Sequence, residues 1–154
     1  TFLPYLSGER TPHNAPDATG AFHGLRRGHG LPDMVQSVME GVGFAFADCC
    51  RALEQSGSLP ERVCVAGGGS QSETWLQMIA DITGLTLDVP ESGAQGAALG
   101  AARLAMLGCG EARQAEVIHP PKIRKSIAPN PALEGAYAQS YAAYRQAWTG
   151  GQTR

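Results

Sequence analysis

Between residues 62 and 72 a short apolar run, Arg62-Val63-Cys64-Val65-Ala66, meets Gly67-Gly68-Gly69 and then Ser70-Gln71-Ser72 at the head of a helical pattern. No other stretch constrains the chain as strongly. Glycines let the main chain turn sharply and bring a ligand close to the backbone, because no Cβ stands in the way. The helix that follows opens with N–H groups that have no intrahelical partner. Such a helix start suits a phosphate-bearing ligand, here a nucleotide. A plain tight turn between strand and helix satisfies the same spacing, so the two readings stand level on spacing alone.

The rest of the pattern is built around this junction. Residues 1–32 are rich in Gly, Pro, His and Asn and read as loop, with Pro12 and Pro16 bracketing His13-Asn14. Within them Gly20-Ala21-Phe22-His23-Gly24-Leu25 is a short strand candidate. A long helix follows, with Asp33 as N-cap after Pro32 and a stripe of Met34, Val38, Val42, Ala45, Cys49 and Leu53. Gly41 and Gly43 weaken it by about 1 kcal/mol each relative to Ala, which implies a close backbone approach as their reason. Gly57 is its natural stop.

The strand at 62–66 reads as short and buried. Ser72 caps a second helix over about Glu73–Thr83, with Trp75, Leu76, Ile79 and Ala80 inward and Gly84 at its end. Leu85 to Pro90 is another strand, and a third helix of small residues suited to tight packing spans about Ala94–Leu107. Residues 110–132, punctuated by Pro120, Pro121, Pro129 and Pro131, read as irregular. A last helix begins near Leu133, with an aromatic stripe of Tyr137, Tyr141, Tyr144 and Trp148 as a docking face and a frayed tail after Thr149. Strand, glycine turn, helix, strand and helix in this order imply an α/β unit.

Composition narrows the function classes. The 154 residues suffice for one domain with a real core, and 43% hydrophobic with 17% charged residues is ordinary for a globular protein. Twelve Lys and Arg against 14 Asp and Glu give a net charge of −2, which argues against a dedicated nucleic-acid binder. No apolar run is long enough to span a bilayer, so no membrane partner is expected. Cys49, Cys50, Cys64 and Cys109 form no C-x-x-C pair and have no zinc-like His spacing. They read as reduced, buried thiols in a cytoplasmic protein. The opening Thr1-Phe2-Leu3-Pro4-Tyr5-Leu6, without a methionine, reads as a piece of a longer chain.

Two phosphate motifs can be tested against the glycine run. No Lys follows it, so the P-loop pattern G-x-x-x-x-G-K-[ST] is excluded. The dinucleotide fingerprint G-x-G-x-x-G is nearer: Gly67, Gly69 and Ser72 match two glycines of three, and Asp88 stands where a ribose-binding acid would. Against that reading, the helix between the strands is short and no first Rossmann strand precedes it.

Gly20-x-Phe22-x-Gly24-Leu25, then seven residues, then Asp33-Met34-x-x-Ser37-Val38-Met39-Glu40 resembles the C-terminal signature of the FGGY carbohydrate kinases at all its constrained positions. The preceding Tyr5-Leu6-Ser7-Gly8-Glu9-Arg10-Thr11-Pro12-His13-Asn14 resembles the loop typical of the xylulokinase branch of that family. Gly67 to Trp75 is similar to the family's adenosine motif, and Ala97-Ala98-Leu99-Gly100-Ala101-Ala102 to its last helix motif. The resemblance covers about residues 1–108 strongly and the tail weakly.

The resemblance implies an α/β fold of the actin-like, ribonuclease-H-like ATPase type, a mixed sheet flanked by helices. Residues 1–154 would be the C-terminal, nucleotide-binding kinase domain without the N-terminal sugar-binding domain, and residues 133–154 its C-terminal helix and tail. ATP and Mg²⁺ would be the cofactors, with Mg²⁺ bound mainly through the nucleotide and no metal site on the chain itself. The activity would be transfer of the γ-phosphate of ATP to a ketose, D-xylulose first, with another pentulose or polyol as alternative. By motif, Gly68 and Gly69 would face adenine and ribose, and Ser72 would open the following helix at a position often Asn in relatives. Ala66 stands where some relatives carry Asp. The catalytic Asp, the first phosphate loop and the sugar contacts would lie outside this chain, leaving it inactive alone, and its uncovered face would favour a homodimer.

A nucleotide- or partner-binding module without catalysis and a Rossmann dehydrogenase module are the readings from other classes. Asp33 and Glu40 on the long helix read as a cap and a solvated or paired acid rather than paired catalytic acids. Asp81 and Asp88 read as surface or cap residues. Glu9 and Arg10 read as an ion pair at the cleft edge, or Arg10 as a phosphate contact, and His13 as folded against its own loop.

Overall fold

The computed structural model describes residues 1–93 and 96–151. Thr1 to Leu3 already departs from loop: β1 (Phe2–Leu3) pairs antiparallel with β2 (Ala21–Phe22), Phe2 opposite Phe22 and Leu3 opposite Ala21. The ladder is short because Pro4 removes the next donor, and the two phenyl rings pack across it with centroids 4.6 Å apart.

Helix α1 (Leu31–Gln55) begins three residues earlier than the sequence suggests, with Gly30 as N-cap and Pro32 in the first turn. Asp33 is therefore not the N-cap. It sits at the third helical position, and its carboxylate reaches back to accept the Gly30 N–H at 2.8 Å, half of a capping box. Ser56 closes the helix and Gly57 follows in the left-handed region at φ 70°. The predicted stripe is only partly the packing face. The fully buried positions of α1 are Gly41, Gly43, Phe44, Ala47 and Asp48, whereas Leu53 is exposed. The two interior glycines have the packing reason expected of them. A Cβ on Gly41 would strike the Phe2 carbonyl oxygen, and one on Gly43 would stand 2.6 Å from Ile82 Cδ1.

A mixed three-stranded sheet carries the second half, in the order β3 (Arg62–Cys64), β4 (Thr86–Pro90), β5 (Ile123–Ile127). β3 runs parallel to β4, with Val63 opposite Leu87, and β5 runs antiparallel to β4, with Leu87 opposite Ile127. β3 is an edge strand with Arg62 and Cys64 exposed, not the buried strand expected. β5 stands where the sequence reads as irregular. Its first four residues are exposed, so it has no alternating apolar signal and owes its strand geometry to pairing with β4. Helix α2 (Glu73–Thr83) has the predicted bounds, capped by the Ser72 hydroxyl and ended by Gly84 at φ 72°. Leu76, Ala80, Leu85, Leu87, Val89 and Ile127 make the core between α2 and the sheet.

Helix α3 (Gly96–Gly108) has no buried residue, and close packing is confined to its start, where a Cβ on Gly96 would stand 2.8 Å from Ala66 Cβ. Ala94, where the sequence puts the start of this helix, lies outside the described residues. A single turn, α4 (Gln114–Val117), buries Val117. The last helix, α5 (Glu134–Gly151), continues past Thr149, and residues 152–154 of the predicted tail lie outside the description.

The aromatic stripe of α5 does dock. Tyr144 is fully buried and forms a second core with Leu3, Tyr5 and Phe44, fringed by Tyr137, Tyr141 and Trp148. Asp48 is buried within this seam. It accepts the Tyr141 hydroxyl at 2.5 Å and faces His13 Nε2 at 3.1 Å. The His13 ring thus packs against α1 and α5, stacked on Trp148 at 4.6 Å, while its backbone N–H stays bonded to Glu9 of its own loop.

The cysteines divide. Cys49 and Cys50 are half-buried, and burial pushes both thiols up, whereas Cys64 and Cys109 are exposed, against the expectation that all are buried. No helix of the described residues is long and apolar enough to cross a membrane.

Candidate functional site: the Gly67–Ser72 turn

β3 leads straight into the glycine run. Its pairing with β4 continues one residue further, where Val65 N–H donates to Asp88 O at 2.9 Å. The chain then reverses at Gly67, whose φ of 91° belongs to the region where a side chain is strained. Of the glycine triplet, the conformational requirement therefore falls on Gly67, not on Gly68 or Gly69. Gly67 N–H donates to Gly93 O at 2.9 Å, tying the turn to the segment after β4.

Gly68–Gln71 form one turn of 3₁₀ helix. Ser70 is buried at 3% exposure, and its hydroxyl donates to the Gly67 carbonyl at 2.7 Å, closing the turn from inside. Ser72 N–H donates to Gly69 O at 3.2 Å. Its hydroxyl oxygen then accepts Trp75 N–H at 3.3 Å as the cap of α2.

Gly68, Gly69 and Ser72 are each exposed, the two glycines within the 3₁₀ turn and Ser72 at its end. The two glycines differ in surroundings. A Cβ on Gly68 would meet nothing within 4 Å, whereas one on Gly69 would stand 2.9 Å from Trp75 Cζ3. Gly68 borders open space, and Gly69 rests on an indole. In the sequence Trp75 is legible as an inward apolar residue and as the last position of the stretch that resembles the adenosine motif. Its contact with Gly69 and its bond from Nε1 to the Met39 carbonyl, at 3.1 Å, carry no sequence signature beyond its being the one aromatic of α2.

Asp88, the acid a dinucleotide site would need, is engaged elsewhere. Its carboxylate accepts Arg62 Nε at 3.1 Å and Nη2 at 2.5 Å, and the Ser126 hydroxyl at 2.5 Å. The Arg62 bonds, helped by Ser126, hold its carboxyl below the usual carboxylate range. Asp88 is 8% exposed, as is Asp81, so neither is the surface or cap residue expected. Asp81 accepts Gln77 Nε2 at 2.8 Å and the Asn130 N–H at 2.7 Å, fixing the approach to α5. Asp33 and Glu40 do not act as a pair: Asp33 caps Gly30 and Glu40 accepts Gln36 Nε2 at 2.8 Å. Glu9 accepts the His13 N–H at 2.8 Å, which braces the loop. Among the described residues, no group of three or more His, Cys, Asp or Glu is placed to hold a metal ion. A hollow of about 750 Å³ near His13, His23 and Trp148 includes no residue of the turn.

The pattern of the FGGY family of carbohydrate kinases, C-terminal domain, matches residues 1–109. The chain belongs to the FGGY family of carbohydrate kinases. It is 46% identical over 147 residues to the xylulose kinase of Escherichia coli (strain K12), covering 94% of this chain and 28% of that protein. To the xylulose kinase of Klebsiella pneumoniae it is 52% identical over 104 residues, covering 68% of this chain and 21% of that one. The crystal structure of a xyloylose kinase from Brucella ovis superposes with a TM-score of 0.83 at 39% identity, over 97% of this chain and 31% of that structure. The FGGY chain thus spans less than a third of the length of these relatives. Its architecture is that of the actin-like ATPase fold, a mixed sheet flanked by helices, as the resemblance implied.

Proposed function

We propose that this chain supplies the adenosine-facing side of the ATP site in a sugar kinase that transfers the γ-phosphate of ATP to a ketose, D-xylulose first, forming D-xylulose 5-phosphate. The observation that carries the reading is the open face at Gly68, beside a turn held rigid by Gly67, Ser70 and Gly93. The names of the relatives support the sugar. The wider family leaves another pentulose or polyol as the alternative.

In this reading Gly68 and Gly69 bring main chain against adenine and ribose, and the start of α2 at Ser72 offers its hydroxyl hydrogen as a donor. Mg²⁺ is held through the nucleotide's phosphates and supplies charge neutralisation there when bound. The carboxylate that removes the sugar hydroxyl proton belongs to protein outside these residues. Residues 1–154 act as the nucleotide-binding domain and 133–154 as the helix and tail that dock across it. The reaction is assigned to the cytoplasm, where ATP and sugar meet.

An ATP-coupled assay with D-xylulose on this chain alone should read blank, and calorimetry with ADP should give binding of about high-micromolar strength or weaker. Turnover that survives repurification would overturn the division of labour, and absence of ADP binding at millimolar nucleotide would overturn the nucleotide reading. The chain should also self-associate in sedimentation as its concentration rises, since Leu104 and Met106 of α3 are exposed.

A further inference from the structure

Trp75 is half-buried and held by two hydrogen bonds, one from its backbone and one from its ring. Its backbone N–H is fixed by the Ser72 cap at 3.3 Å. Its indole Nε1 donates to the Met39 carbonyl of α1 at 3.1 Å. That carbonyl lies in the middle of a 25-residue helix, within a few residues of Gly43, where α1 and α2 approach closely enough for Ile82 to fill the space of a missing Cβ. The far edge of the same indole, Cζ3, abuts Gly69. The indole is a donor only, and its one hydrogen bond, to the Met39 carbonyl, restrains the ring at the edge opposite Gly69.

We infer that Trp75 is a positioning residue for the nucleotide: its indole, locked to the Met39 carbonyl, is the floor that sets the height and tilt of Gly69 and so shapes the open face at Gly68. This rests on the reading of the turn as the nucleotide site. It separates two glycines that the sequence treats alike. Gly68 must lack a side chain because the ligand occupies the space beyond it. Gly69 must lack one because Trp75 occupies the space beneath it.

The test is calorimetry with ADP on the chain itself, comparing the unaltered protein with Trp75→Phe, Trp75→Leu, Gly69→Ala and the double variant Gly69→Ala/Trp75→Leu. Trp75→Leu removes the floor and should weaken ADP binding about tenfold; Trp75→Phe keeps a ring but loses the bond to Met39 and should weaken it about threefold. Gly69→Ala should weaken binding when Trp75 is present. It should do much less in the Trp75→Leu background, where the smaller side chain leaves room for the methyl group. That non-additivity is what a general loss of stability would not produce. Equal affinity for the unaltered chain and a folded Trp75→Phe, or strictly additive effects of Gly69→Ala and Trp75→Leu, overturns the inference while leaving the nucleotide site in place. If Trp75→Leu does not fold, Trp75→Phe alone decides. No ADP binding by the unaltered chain overturns the site and the inference together.

Discussion

Tyr5 and Tyr144 share a buried hydroxyl-to-hydroxyl hydrogen bond of 2.5 Å, although 139 residues separate them in the chain. Their exposures are 6% and 0%, so neither hydroxyl has water to fall back on. Tyr144→Phe should cost about 1–3 kcal/mol, because it leaves the Tyr5 hydroxyl unsatisfied. The double variant Tyr5→Phe/Tyr144→Phe should recover part of that loss, with a coupling of about 1 kcal/mol in denaturant titrations. Burial also pushes the Tyr5 phenol up to about 12 and Tyr144 higher still. An acid whose folded pKa is raised stabilises the fold below its unfolded value, near 10, and loses that contribution as pH climbs through the folded one. The unaltered chain should therefore lose stability above about pH 10 more steeply than the double Phe variant.

The glycines of α1 should respond differently to alanine. Removing a helix-interior glycine gains about 1 kcal/mol of propensity, and overpacking costs about 1–3 kcal/mol. At Gly41 the new methyl group meets the backbone carbonyl of Phe2, which cannot move without breaking β1 from its place. The cost wins there, and Gly41→Ala should lower the unfolding midpoint. At Gly43 the obstacle is the terminal methyl of Ile82, which can change rotamer. Gly43→Ala should fall near neutral, and a larger loss at Gly43 than at Gly41 would contradict this packing.

Arg62 and Asp88 give a third outcome, on the acid side. Asp88 sits below its ordinary value of 3.8 because it accepts bonds from Arg62 and then Ser126. A carboxylate with a depressed folded pKa stabilises the protein above its unfolded value and ceases to do so as pH falls through the folded one. Asp88→Asn should be less stable than the parent at neutral pH, and the gap should close as pH drops below about 4. Arg62→Met should shift the acid transition of the parent upward. Stability curves for Asp88→Asn and the parent that stay parallel across that range would remove the pair as a contributor.

What could be read from the sequence was local. The bounds of α2 follow from Ser72 and Gly84, because a cap and a left-handed glycine act within a few residues. The docking of α5 follows from the spacing of its aromatic residues. β5 is invisible there because Arg124, Lys125 and Ser126 carry no strand pattern, and the pairing that makes it a strand comes from β4, more than thirty positions away. The burial of Asp48 depends on His13 and Tyr141, 35 and 93 residues distant. An acid within Phe44-Ala45-Phe46-Ala47-Asp48-Cys49-Cys50 is a hint, but its partners are not. At the site, the glycine run and Ser72 are legible as a turn and a cap. That Gly67 takes the left-handed conformation while Gly69 leans on Trp75 is not, since three adjacent glycines look alike until neighbours distinguish them.

Gly68 is where the proposed chemistry is most exposed to test. Its Cβ direction points into open space and its backbone needs no glycine conformation. Gly68→Val should therefore leave the fold intact, so any loss of function reports on a ligand rather than on the turn. In a kinase carrying this domain together with its sugar-binding part, Gly68→Val should raise the Michaelis constant for ATP by about tenfold or more. The constant for D-xylulose should hardly change if, as proposed, the sugar contacts belong to the other domain. Ser72→Ala should do less, removing a cap worth about 1 kcal/mol and one donor. Steady-state kinetics with each substrate varied in turn separates these effects. Unchanged ATP kinetics in a folded Gly68→Val protein would make Gly67–Ser72 a connection between strand and helix and nothing more.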